Sequence, residues 1–167
     1  MSKTKTTAFL GVCVSIALVL AYIEAILPPL FPSIPGIKIG LPNIIIIFLL
    51  YKKGPVSAIT VSLLRILLQC LLFGNTISLA YSLAGGLLSI IVMITLKKIN
   101  IFSTIGVSIA GGVFHNIGQI LMAVSILESS ELLYYLAILT VTGTIAGVLI
   151  GVCGSLLIKH VPEKIIK

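Results

Sequence analysis

The sequence predicts an all-α, polytopic membrane protein of six spans, and three observations predict it. Apolar residues make up 59% of the 167-residue chain and charged residues 9%, against roughly a quarter charged in soluble domains. The apolar residues gather into runs close to the 20 or so needed to cross a bilayer. Lysines stand at the ends of these runs and hardly anywhere else. Residues 1–167 therefore read as a single integral membrane domain, with no stretch suited to a soluble lobe.

The first span, residues 7–27, follows Lys3 and Lys5. Its start resembles a secretory signal, but it is too long for a signal's apolar core and no polar stretch follows, so a retained span is expected. Residues 28–43, PPLFPSIPGIKIGLPN, then place five prolines and two glycines in sixteen positions. Proline removes a backbone donor and glycine loosens the chain, so this stretch cannot be helical throughout. Irregular backbone near bilayer depth is tolerated only beside protein or a water-filled cavity. A Gly/Pro-interrupted apolar segment is accordingly the best pointer in the chain to a binding site.

The second span, residues 39–51, is shorter than the others. The third covers residues 55–73, its start marked by Gly54 and a proline suited to a first helical turn. The fourth covers 76–96, the fifth 104–127 and the sixth 132–158. Lys3 and Lys5, Lys52 and Lys53, Lys97 and Lys98, and Lys159, Lys164 and Lys167 fall on alternate connections, all on one side of an even number of spans. The opposite connections hold Lys38, an uncharged Phe73-Gly74-Asn75, and the acidic pair Glu128 and Glu131. The positive-inside rule then places both termini in the cytoplasm and the protein in the cytoplasmic membrane.

The net charge of +7 would suggest nucleic acid in a soluble protein. Here the lysines are span-end anchors, and no nucleic-acid partner is expected. The chain has no aspartate, four glutamates and three cysteines, the last isolated inside apolar runs at 13, 70 and 153. That spacing suits small buried hydrophobes and neither a disulfide framework nor a metal site. Neither a phosphate-binding GxxxxGK[ST] loop nor a nucleophile elbow occurs. The expectation is a non-enzyme without cofactor or metal, whose chemistry is supplied by partners.

Ionisable and amide side chains inside spans are costly and point to function. Arg65, the one arginine, lies past the middle of the third span, with Gln69 a turn further on. His115, Asn116 and Gln119 fall in the fifth span, Glu24 near the end of the first, and Lys38 and Asn43 flank the start of the second. Tyr81 and Ser82 lie in the outer half of the fourth, and Tyr134 and Tyr135 suit an interfacial aromatic belt. Nearly all of these groups occupy the outer half, which predicts a cavity open to the outside and not a pore. Each has a plainer reading: Glu24 as a structural partner of Lys38 or Arg65, and His115 and Asn116 as interhelical hydrogen bonds. Arg65 is the hardest to explain without a ligand, since its guanidinium stays charged and acidic residues are few. It would hold a negative or carbonyl group.

Several stretches in order carry a family resemblance: YIEAILPP at 22–29, GIKIGLPNI at 36–44, KKGP at 52–55, LLRILL around Arg65, LFG at 72–74, SLAGGLLS at 82–89 and HNIGQ at 115–119. The chain resembles the small membrane family described as "Gx transporter" or "heptaprenyl diphosphate synthase component I". That family is grouped with the substrate-binding S components of energy-coupling-factor transporters, which implies a six-helix bundle with both termini inside. The grouping implies capture from outside of a vitamin-like molecule or a cofactor or isoprenoid precursor, working with a transmembrane coupling protein and two ABC-type ATPases. It also implies contact with the coupling protein through small residues on the first helix. Ala17 and Ala21 match the usual spacing, and Gly11 and Ser15 offer a second pair. The family's other name implies a membrane accessory subunit of a prenyl diphosphate synthase that makes the menaquinone side chain; a purely structural partner in a quinone or electron-transfer assembly is a third reading. Together these readings make Glu24, Lys38, Asn43, Arg65, Gln69, His115, Asn116 and Gln119 the candidate ligand-binding set.

Overall fold

The structure, a computed structural model, describes residues 3–27 and 39–163. Lys38 and most of the proline-rich stretch lie outside the described residues. Within them the chain is helical: α1 Lys3–Ile26, α2 Asn43–Lys52, α3 Pro55–Phe73, α4 Thr76–Ile99, α5 Thr104–Leu127, a 3-10 turn Ser130–Tyr135 and α6 Leu136–His160. Five of these segments are long and apolar enough to cross a membrane: α1, α3, α4, α5, and α6 together with its preceding turn. The span expected over 39–51 is different. It is a helix only from Asn43, and its 10 residues rise about 15 Å, half of a typical hydrocarbon core.

Local chemistry explains the breaks. Gly54 precedes α3 at φ +93°, a conformation open to glycine, and Pro55 opens the helix with the donor it lacks. Asn75 and Ser78 form a reciprocal cap at the start of α4: Ser78 N–H donates to Asn75 Oδ1 at 2.8 Å, and Asn75 N–H donates to Ser78 Oγ at 3.0 Å. Asn100 and Glu128 end α4 and α5 in the left-handed region, and Ser103 caps the amino end of α5.

Helix α2 is the centre of the bundle. Every residue from Ile45 to Leu50 is buried, as expected of a helix apolar all round, and it packs on α1, α3 and α6. Around it, α3 joins α1 and α4, and α5 lies between α4 and α6. Glycines permit the close approaches. A methyl at Gly147 would come within 2.5 Å of Ile109 Cα, and one at Gly118 within 2.7 Å of the Ala84 carbonyl oxygen. Large side chains such as Val12, Val19, Leu71, Ile91 and Val141 are more than half exposed on the outer surface, a face suited to lipid and not to water.

The lysine-bearing connections meet at one end. Lys53 lies over the Phe9 ring at 5.7 Å, and Lys97 donates to the Leu50 carbonyl while lying 5.0 Å above the Tyr51 ring. At the opposite end, Tyr22 of α1 meets Phe73 of α3 edge-on, with ring centroids 5.7 Å apart. Tyr134 is 86% exposed beyond α6 at that same end.

Candidate functional site

The site begins where the chain re-enters the bundle. Gly40 takes φ +78°, Asn43 N–H donates to the Gly40 carbonyl at 2.8 Å, and α2 starts there. A side chain at Gly40 would be strained and would also crowd Asn43 Nδ2 at 3.1 Å and Ile150 Cδ1 at 3.4 Å. The Gly40 N–H donates to a carboxylate oxygen of Glu24, tying the entry turn to the far end of α1.

Arg65 faces this turn from α3. It lies eight residues before Phe73, about 12 Å along the helix axis from that end. Only 7% of the residue is exposed. Its Nη1 donates to Gln69 Oε1 at 3.4 Å, a long bond made possible by the four-residue spacing. Its Nε has no hydrogen-bond partner among the described residues. Glu24 is close enough to act on it electrostatically.

The opposite wall comes from α4 and α5. A methyl at Gly85 would lie 2.7 Å from the His115 carbonyl oxygen and 2.8 Å from Gln119 Cγ. The missing side chain lets α5 approach and brings His115 and Gln119, four residues apart, toward Arg65. The result is a polar cavity lined by Glu24, Gly40, Asn43, Arg65, Gln69, Ser82, His115 and Gln119, with a volume of about 30 Å³. That is room for about two water molecules. Toward the lysine end, beyond Asn43, Ser89 and Ser108 help line a smaller space of about 10 Å³, one water at most.

Six of the eight candidate residues thus meet in one place. Lys38 lies outside the described residues. Asn116 does not belong to the cavity: one position on from His115, it is turned toward α6, where Nδ2 donates to the Leu139 carbonyl at 2.7 Å. Gly143 makes room for it, since a methyl there would stand 2.8 Å from Asn116 Nδ2. Asn116 is an interhelical bond.

Of the four residues expected at a coupling interface, Ala17 and Ala21 are packed inside the bundle, 0% and 2% exposed. Gly11 and Ser15 are exposed on the outer side of α1. The sequence reading left Gly40 and Ser82 out of the binding set. Ser82 could have been found, because Ser82, Gly85 and Ser89 recur at helical spacing and define the inward stripe of α4.

A helical membrane bundle with a small polar cavity between its helices is the class these features define. The family model of heptaprenyl diphosphate synthase component I matches residues 13–157, and the chain belongs to that family, as its motifs predicted. No curated protein and no solved structure matches the chain.

Proposed function

We propose that this protein is the substrate-capture subunit of an ATP-driven importer of the energy-coupling-factor type, set in the cytoplasmic membrane with both termini inside. It takes a small vitamin-like or precursor molecule from the outer side. A transmembrane coupling protein and two ABC-type ATPases supply the energy and any catalysis. The observation that carries this reading is the convergence of Glu24, Asn43, Arg65, Gln69, His115 and Gln119, from four helices, on one cavity inside an apolar bundle. Polar groups gathered at that depth are costly unless they serve a ligand or a pathway. The space beyond Asn43 admits one water at most, which favours a pocket over a pore. Whole vitamin-sized ligands need roughly 300–1,000 Å³, so one polar group of the ligand enters the cavity and the remainder lies toward the tyrosine-bearing end.

The family's description favours a second reading. A component I implies a second component, and this chain would then be the membrane partner of a prenyl diphosphate synthase whose catalytic groups lie on the other subunit. Affinity purification from native membranes in mild detergent separates the two. Recovery of a coupling protein with a pair of ATPases is expected. Recovery of a prenyl synthase or quinone enzymes without ATPases overturns the importer reading.

A further inference from the structure

We propose that the captured molecule presents a single carboxylate, and that this group docks on the Nε edge of Arg65. The inference rests on the capture reading and names the chemistry of its ligand. Arg65 uses Nη1 on Gln69, while Nε is buried with no acceptor among the described residues. A guanidinium offers its Nε–H beside a terminal N–H as a planar fork, which matches two oxygens of one group. The first N–H groups of α2 donate to the carbonyls of Gly40, Leu41 and Pro42, so the donor left for a ligand in this corner is the Arg65 guanidinium. The protein already sets one carboxylate in this corner, since Glu24 accepts the Gly40 N–H.

Charge decides between carboxylate and phosphate. Among the described lining residues the fixed charges are one guanidinium, Arg65, and one carboxylate, Glu24; His115 is the remaining titratable group. A monoanion leaves this set one negative charge out of balance, and a dianion two, in a setting where water screens poorly. The volume of about 30 Å³ accepts the two oxygens of a carboxylate in place of about two waters.

Arg65 is the sole arginine of the chain, so it can be observed alone. The full chain, labelled with guanidino-15N arginine, carrying an arginine-free tag and reconstituted in lipid nanodiscs, gives one Nε–H correlation. Titration with propionate is expected to move that peak downfield to saturation. Chloride at equal ionic strength is expected to leave it in place, and inorganic phosphate to act at least about tenfold more weakly. Glu24→Gln removes the competing carboxylate and is expected to tighten the propionate response. Phosphate acting as well as propionate, or propionate causing no saturable shift, overturns the carboxylate assignment. The co-purification experiment decides the capture reading separately. A failed titration beside a recovered coupling protein and ATPases refutes the ligand chemistry alone, and failure of both refutes the two together.

Discussion

Arg65 and Asn116 are both buried polar residues near the middle of their helices, and they behave oppositely. Asn116 has a protein partner, the Leu139 carbonyl, at good distance. Replacing it with alanine removes one interhelical bond, a loss of about 0.6 and at most about 2 kcal/mol in membrane proteins. Asn116→Ala should therefore lower the thermal midpoint of the purified protein while leaving ligand affinity unchanged; a loss of binding at full stability would return Asn116 to the site. Arg65 is held by one long bond to Gln69 and leaves Nε unsatisfied among the described residues. Its removal leaves Glu24 without that counter-charge but still bonded to the Gly40 N–H, so Arg65→Ala should insert and fold, with a lower thermal midpoint that Glu24→Gln in the same chain restores. Ligand binding should be abolished, and an unchanged affinity measured by equilibrium dialysis would remove Arg65 from the site. Both residues were visible in the sequence as polar groups in apolar runs. What the sequence did not resolve is direction: His115 and Asn116 are adjacent, and a rotation of about 100° per residue sends one to the cavity and the other to α6.

At the scale of elements, the glycines set how close the helices come. The α5–α6 contact runs along Gly112, Gly143, Gly147 and Gly151, each with backbone or a short side chain within 3 Å of where a methyl would stand. Gly147→Val forces Ile109 away and should cost about 1–3 kcal/mol, the usual penalty of overpacking. Gly11→Ala meets nothing within 4 Å and serves as the matched control. Comparing the two in a detergent-melting assay checks this, with equal midpoints the adverse result. Span ends were legible because Gly54–Pro55, Asn75 and the lysine pairs announce themselves locally. The true start of α2 was less so. Proline at 42 is compatible with a first helical turn, and only the packing of Gly40 against Asn43 and Ile150 places the entry turn inside the bundle. The inward turn of Ala17 and Ala21 was hidden for a related reason. Small residues four apart suit either an internal or an external neighbour, and the neighbours are supplied by tertiary structure.

For the molecule as a whole, the lysine pattern and the packing meet in one testable statement about orientation. The ends of α2 and α4 that carry Lys52, Lys53, Lys97 and Lys98 come together beside the start of α1, where Lys53 lies over Phe9 and Lys97 over Tyr51. The opposite end carries Glu24, Glu128, Glu131 and exposed Tyr134. Basic residues within reach of short connections hold those connections in the cytoplasm, whereas acidic residues exert little such pull. The cavity lies nearer the acidic end, about 12 Å below Phe73 at Arg65, so capture from outside requires that end to face out. With Cys13, Cys70 and Cys153 replaced by serine or alanine, single cysteines report the sidedness. Ser130→Cys, exposed in the turn before α6, should react with a membrane-impermeant maleimide in intact cells or spheroplasts. Ile101→Cys, 80% exposed beside Lys97 and Lys98, should react only after permeabilisation. The reverse pattern would put the Arg65 cavity toward the cytoplasm, where a capture subunit has no use for it and a partner of a cytoplasmic synthase does.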